Sequence, residues 1–328
     1  MVYERTASKW VRVSASEPCS ICGQKRYCTR TADGTAAKCM KVESGTSVKT
    51  GGWVHKLDDP LPERVAPPPR KIDYELWRNR CAEAYRHKLA GKVRAEEAER
   101  LGLSPGILDR LYVGAGVDAK HGVYSTWPQR DGKARFVGYC RRFSDGTKMS
   151  EKGGKQGLFY LLHWYLSAGP LFVVEGGSDV AALAGIGAVT IGRFSNVGGA
   201  DMIATAWNGL TKKPQIVVVG EMDEKPHKRG TLKSCKLDCP GCSNCWPGKY
   251  GAIHTAVQLS SALGVDVRWA MCPDGCKDAR EWASKNRGAS VIDWIEDMKG
   301  GVNVKVSQAR QLLMSGTMES EVRALGGP

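Results

Sequence analysis

Twelve cysteines are grouped, not scattered, along the 328 residues, and that grouping constrains the chain more than any other feature. Four fall at positions 19, 22, 28 and 39, and four at 235, 239, 242 and 245. Cys272 and Cys276 flank a short turn, which leaves only Cys81 and Cys140 alone. The N-terminal stretch MVYERTASKW lacks the apolar core of a signal peptide, so a cytoplasmic location is expected, where thiols stay reduced. Grouped thiols in such a chain point to metal and not to disulfides.

The first group reads C-x2-C-x5-C-x10-C. Cys19 and Cys22, followed by Gly23, form a knuckle that aims two thiolates at one ion. Asp33-Gly34 supplies a hairpin turn able to bring Cys28 and Cys39 together. Four thiolates make a closed tetrahedral site of the structural kind, and zinc suits it best. Residues 1–57 carry ten Lys and Arg against four acids, with Trp10, Tyr27 and Trp53 interleaved. Phosphates meet lysine and arginine while bases stack on rings, so the module suits single-stranded nucleic acid; the bland alternative is a solvated module whose aromatics cover the metal site.

Across the whole chain 48 Lys and Arg face 34 acids, a formal net charge of +14, which favours a polyanionic partner over an uncommitted basic surface. The longest apolar runs, such as Leu171–Val174 and Ile216–Val219, fall far short of the roughly 20 residues a membrane helix needs, so no membrane partner is expected. Residues 58–72 hold five prolines, three of them consecutive, and read as a stiff spacer between domains. From Tyr74 the pattern turns helical, with Trp77, Cys81, Ala84 and Tyr85 on one face. A second helix stops at Gly102, a third starts at Ser104-Pro105, and Gly114 reads as its stop. This is a common packing unit, with DNA reading by the third helix as a second interpretation. Then Asp131-Gly132, Asp145-Gly146 and Gly153-Gly154 punctuate short alternating runs, the signature of hairpins. Between 125 and 160 eight basic residues stand against three acids. Arg141, Arg142, Lys148 and Lys155 are the candidates for holding phosphates, a solvated sheet face being the alternative.

The segment 169–285 alternates strand and helix, which implies a parallel sheet. Predicted strands are Leu171–Val174, Ala188–Ile191, Ile216–Val219 and Val267–Ala270, with a helix over 250–263. Ligands on such sheets sit beyond the carboxyl ends of the strands. Glu175, Glu221, Asp223 and Asp278 all fall just past strand ends. Converging carboxylates repel one another unless a divalent cation neutralises them, and hard oxygen donors favour Mg2+ or Mn2+. Such ions clamp the oxygens of a phosphoryl transfer.

The runs VVEGGSDVAAL, GAVTIGR, IVVVGEMDE and CPDGCKDAREW resemble the Toprim domain. The family's strand-end Glu matches Glu175, its acidic pair matches Glu221 and Asp223, and its Lys-Asp-Ala matches Lys277-Asp278-Ala279. Glu221 stands where the family has Asp. The order of a four-cysteine ribbon, a proline linker, a basic segment and Toprim is similar to that of bacterial, phage and mobile-element DNA primases. The resemblance implies an α/β fold with a Rossmann-like parallel sheet, preceded by a basic α+β subdomain and an N-terminal zinc ribbon. It assigns residues 1–57 to a template-binding ribbon, 73–168 to the basic subdomain, 169–285 to Toprim and 286–328 to a helical tail. It also implies Mg2+ or Mn2+ held by Glu175, Glu221, Asp223 and Asp278, with Glu175 as metal ligand or general base.

An insertion, 224–250, separates Asp223 from the next helix, and the glycine that follows the acidic pair in the family is then Gly248 or Gly251. It contains Cys235, Cys239, Cys242 and Cys245, a second candidate zinc site with an iron–sulfur cluster as the rival. Cys272 and Cys276 are either further ligands or inert. The expectation is a primase that makes short RNA primers on single-stranded DNA from nucleoside triphosphates. A Toprim nuclease and a nucleic-acid-binding replication protein of weakened activity are the alternatives. No G-x4-G-K-[ST] motif occurs, so a replicative helicase would be a separate partner.

Overall fold

The computed structural model describes residues 10–48, 51–57, 71–166, 168–223, 245–298 and 301–315. The prolines at 60–69 and the cysteines at 235, 239 and 242 lie outside the described residues. The chain divides into two compact units, one ending at Lys71 and one beginning at Ile72.

The first unit is a four-stranded antiparallel meander in chain order: β1 (Trp10–Arg12), β2 (Thr29–Thr31), β3 (Ala36–Cys39) and β4 (Trp53–Lys56). Strands of three or four residues bury too little to hold themselves together. The buried centre is instead Cys19, Cys28 and Cys39, with Val13, Ile21 and Cys22 packed around them. Asp33-Gly34 makes the predicted β2–β3 turn. Gly34 sits at φ 72°, and the Asp33 carboxylate accepts the Thr35 amide at 3.1 Å.

The second unit opens with α1 (Tyr74–Arg86), α2 (Ala90–Leu101) and α3 (Pro105–Arg110). Asp73 caps α1, and Trp77, Cys81 and Ala84 are its buried face, as the periodicity predicts. Gly102 ends α2 at φ 69° and Ser104 caps α3, both where the sequence places them. The third helix is six residues long and packs through Ile107 and Leu108. Gly114 does not stop a helix. It begins a strand, and a Cβ there would collide with the Ala84 backbone of α1. That antiparallel sheet runs β5 (Gly114–Asp118), β6 (Gly122–Arg130), β7 (Phe136–Phe143), β8 (Lys148–Ser150), again in chain order. The 131 and 145 turns close its hairpins. The 153–154 turn instead returns the chain along β7, with the Lys155 amide donating to Val137 O at 2.8 Å.

A second sheet follows: β9 (Leu171–Glu175), α4 (Gly177–Gly185), β10 (Val189–Arg193), α5 (Ala200–Asn208), β11 (Ile216–Gly220), α6 (Pro247–Leu263), β12 (Val267–Met271), α7 (Ala279–Lys285), α8 (Val291–Asp297), β13 (Val302–Val304) and α9 (Val306–Ser315). Its order is β10-β9-β11-β12-β13, with the first four parallel and β13 antiparallel at the edge. Side chains alternate faces along a strand. Phe172, Val174, Val217 and Val219 therefore enter one core with Trp282 and Trp294, and Leu171, Val173, Ile216 and Val218 enter another with Ile253 and Trp269. Helices cover both faces, which is why these strands read as unbroken apolar runs.

Two sequence expectations change here. The tail after 285 is not wholly helical, because Val302–Val304 completes the sheet beside β12. Three residues are too few to show a period in the sequence. The basic sheet and the parallel sheet also share a core, since Trp127, Leu108 and Phe159 pack with Val174 and Val180. The chain at 158–159 bridges them: Phe159 and Gly192 exchange backbone hydrogen bonds of 2.9 and 2.7 Å.

Candidate active site and metal centre

In the first unit the four ribbon thiols come together. The sulfurs of Cys19, Cys22, Cys28 and Cys39 all lie within 4.8 Å of one another. A tetrahedron of thiolates at about 2.3 Å from zinc has an edge of about 3.8 Å. Cys22 Sγ and Cys28 Sγ are 3.7 Å apart. Gly23 lies at φ 67° and its amide donates to Cys19 O at 2.8 Å, the knuckle expected from the sequence. Backbone amides also point at sulfur: Met40 N to Cys28 at 3.4 Å and Val42 N to Cys39 at 3.3 Å. Burial pushes the Cys39 thiol up, but the Val42 and Lys41 amides and neighbouring thiols outweigh it and bring it to about 7, suited to a thiolate ligand. The set fits Zn2+. Beside it Trp10 and Tyr27 are exposed, Tyr27 78% so, with Lys25 and Arg26 next to it.

In the second unit a cavity of about 570 Å³ opens between the carboxyl edge of the parallel sheet and the basic sheet. Glu175 reaches it from the end of β9, Glu221 from the residue after β11, and Asp278 from the N-cap of α7. Arg142 and Lys148 face them from β7 and β8, while Lys277 and Arg280 flank Asp278 on the loop and first turn of α7.

Asp223, predicted beside Glu221, does not line this cavity. Its Oδ1 accepts the Gly248 amide at 2.8 Å, at the N-terminal turn of α6, whose N-cap Trp246 makes no side-chain cap bond of its own. Both candidate glycines are sites of close approach, Gly251 against Asn196 and Gly248 against the acidic segment. A Cβ on Gly248 would strike Glu221 O and stand 2.8 Å from Asp223 Oδ1. Arg141 and Lys155 also lie off the cavity. Arg141 points to the opposite face of β7, paired with Asp118 and Glu151 at 3.1 Å each. Lys155 is exposed. Alternation along β7 separates Arg141 from Arg142.

One acid escaped the sequence reading. Asp179, in the first turn of α4, is 4% exposed and lines the cavity. It sits in the first turn of α4, just beyond the strand that ends at Glu175, and an acid in the first turn of a helix that follows a strand end was the available signal. Its Oδ1 accepts the Arg280 amide at 3.0 Å, which ties α4 to α7.

The acids raise one another. Burial holds the Asp179 carboxyl well above the usual range, and Asp278 and Glu221 add to it. Burial, then Glu175 and Asp278, push Glu221 up to about 7. Burial raises Glu175 as well, opposed by Arg193. On the basic side, burial and the neighbouring Arg142 hold Lys148 below its ordinary value. Arg142 lies over the Trp127 ring at 4.9 Å and 3.6 Å from Glu97. Among the described residues only the ribbon cysteines bring three or more donor atoms within 4.8 Å of each other, so the acids line the cavity without meeting at one point. As a donor set of buried, mutually repelling carboxylate oxygens they fit a hard divalent cation.

Cys272 and Cys276 are buried in the core beside Trp282 and Ala279. Cys245 is buried just before α6, and its companions in the insertion fall outside the described residues. No helix among the described residues is long and apolar enough to cross a membrane.

No protein-family model matches the chain, and no curated protein matches it. Its structural neighbours are primase catalytic cores and primase zinc-binding and RNA polymerase domains. The Escherichia coli primase catalytic core is 16% identical, with a TM-score of 0.49 over 74% of this chain and 84% of that one. The primase fragment of the bacteriophage T7 primase-helicase is 15% identical, with a TM-score of 0.43 over 88% and 100%. The zinc-binding and RNA polymerase domains of Aquifex aeolicus primase are 13% identical, with a TM-score of 0.45 over 98% and 87%.

Proposed function

We propose that the chain is a DNA primase-type nucleotidyltransferase that synthesises short RNA primers on single-stranded DNA. One observation carries the reading: Glu175, Asp179, Glu221 and Asp278 line one cavity at the carboxyl edge of a parallel sheet, opposite Arg142 and Lys148 of the basic sheet, with Lys277 and Arg280 set among the acids. An acidic wall facing a basic wall suits a phosphoanhydride, whose negative charge needs cations on both sides. The Toprim-like motifs that place Glu175, Glu221 and Asp278 on that edge support the same reading.

In this reaction the 3′-hydroxyl of the growing primer bonds to the α-phosphorus of an incoming nucleoside triphosphate. The bond from that phosphorus to the bridging oxygen breaks, and pyrophosphate leaves. Mg2+ or Mn2+ bound by Glu221, Asp278 and Asp179 would supply charge neutralisation at the phosphate oxygens. Glu175 takes the hydroxyl proton or completes that ligand set. Arg142 and Lys148 hold the triphosphate, and Lys277 and Arg280 hold the leaving pyrophosphate. Asp223 acts through Gly248, fixing the segment that carries Glu221. Positioning and charge thus carry most of the catalysis. The ribbon holds Zn2+ on Cys19, Cys22, Cys28 and Cys39 and presents Tyr27 and Trp10 for stacking on template bases. A second zinc is assigned to Cys235, Cys239, Cys242 and Cys245, and the helicase partner to a separate chain.

The test is primer synthesis on single-stranded DNA with labelled nucleotides and Mg2+ or Mn2+, beside Glu175→Ala. Short new oligomers that vanish in the variant are expected. Shortened DNA would make the chain a nuclease. Template binding with no product under either metal would make it a binding protein.

A further inference from the structure

Beneath the acidic wall lies a cation that the proposed reaction leaves without a role. Arg193, at the end of β10, is 1% exposed. A guanidinium stays protonated even here, although burial lowers it to about 10. Full burial of a charge is costly unless it is paired. Yet no described carboxylate comes within 4.0 Å of it. Its hydrogen bonds go to neutral groups: Val174 O at 3.4 Å, Gly251 O at 3.2 Å, Thr255 Oγ1 at 2.6 Å, and Asn196 O. Those acceptors lie on β9, on α6 and in the loop after β10. The guanidinium therefore joins three elements just below the edge that carries Glu175.

The backbone places it there. Arg193 is the parallel-register partner of Glu175, and its carbonyl accepts the amide of Gly176 at 2.8 Å. Thr255 and Asn196 extend the tie: Asn196 donates from Nδ2 to Pro247 O at 3.2 Å, beside the Gly248 amide that Asp223 accepts. The charges around Glu175 are Arg193 from β10, Asp223 and Glu221 after β11, Lys148 from β8 and Lys277 before α7. Of these Arg193 is the cation locked in place by four hydrogen bonds.

We infer that Arg193 is a positioning residue, a built-in cation that holds the acidic edge assembled and sets how weakly that edge takes a divalent cation. The inference rests on reading the edge as a cation site. Its sign is opposite to that of an ordinary structural residue. A fixed positive charge beside a divalent site repels the incoming ion, so removing or cancelling it tightens binding, whereas mere loosening of the fold weakens binding.

The experiment measures Mn2+ binding to the full chain by calorimetry, with no nucleotide or template. Arg193→Gln removes the charge. Thr255→Asp cancels it in place, putting a carboxylate where a 2.6 Å hydrogen bond already exists. Both are expected to tighten Mn2+ binding about three- to tenfold, and Arg193→Lys to stay within about twofold of the parent. Should Arg193→Gln fail to fold, Thr255→Asp decides. Unchanged or weaker binding in folded Thr255→Asp overturns the inference and leaves the primase reading standing. Mn2+ binding that neither Glu175→Gln nor Asp278→Asn alters would instead remove the cation site, and both readings with it.

Discussion

Replacing Glu221 by Gln should stabilise the second unit at alkaline pH and leave it unchanged in acid. Burial, with Glu175 and Asp278 nearby, pushes this carboxyl from 4.5 up to about 7. The folded chain therefore binds the proton more tightly than the unfolded chain. Between pH about 4.5 and 7 the native state holds more protons, so its stability falls as pH rises through that window and stays low above it. At about 1.4 kcal/mol per pKa unit, keeping Glu221 ionised costs the fold about 3 kcal/mol at pH 8. Neighbouring acids share that strain, so an uncharged amide recovers less, about 2 kcal/mol. For a unit of this size that is a rise in Tm of about 4–8 °C. The assay is calorimetry at pH 5 and pH 8 in buffer without added divalent ions. Near-ultraviolet dichroism of buried Trp127, Trp282 and Trp294 assigns the transition to the second unit. At pH 5 the folded carboxyl is protonated while most unfolded chains have already lost that proton, so the rise should shrink to about a quarter of its pH 8 value, about 1–2 °C. A lower Tm at pH 8, or the same rise at both pH values, would refute the electrostatic account.

Three further outcomes are expected. Asp179→Asn should keep its bond from the Arg280 amide, fold normally, and lose about 100-fold in primer synthesis; full activity would show that this acid only joins α4 to α7. Cys39→Ser should release about one equivalent of zinc in elemental analysis and unfold the ribbon while the second unit melts as before, because thiols form that unit's centre. Gly248→Ala should cost about 1–3 kcal/mol in urea melts and depress primer synthesis, since the new methyl strikes Glu221 O. Gly91→Ala, with nothing within 4 Å, should be neutral or stabilising.

Much of the architecture was legible because it is written in short-range patterns. Ile216–Gly220 is apolar without alternation, which is the mark of a strand covered on both faces. Gly102, Ser104 and Gly34 carry their turn chemistry locally. The ribbon site was legible for the same reason: its four thiols lie within 21 residues and one hairpin. Val302–Val304 was not legible, because its strand character comes from pairing with β12 and not from its own three residues.

At the acidic edge the division is sharper. Residue order alone puts Glu175, Glu221 and Asp278 at or after strand ends, and parallel strands bring their carboxyl ends to one side of a sheet. Packing between segments far apart in the chain set which side chains face the cavity. It turned Asp223 onto the Gly248 amide, 25 residues away, and brought Asp179 to the wall. It also put Arg142 on the cavity face of β7 and Arg141 on the other, paired with Asp118 and Glu151. Arg193 was equally beyond the reach of sequence, since its partners Thr255 and Gly251 are 62 and 58 positions distant. The physical reason is common to all four. Hydrogen bonds and burial fix a side chain's direction and charge, and those depend on what folding places beside it.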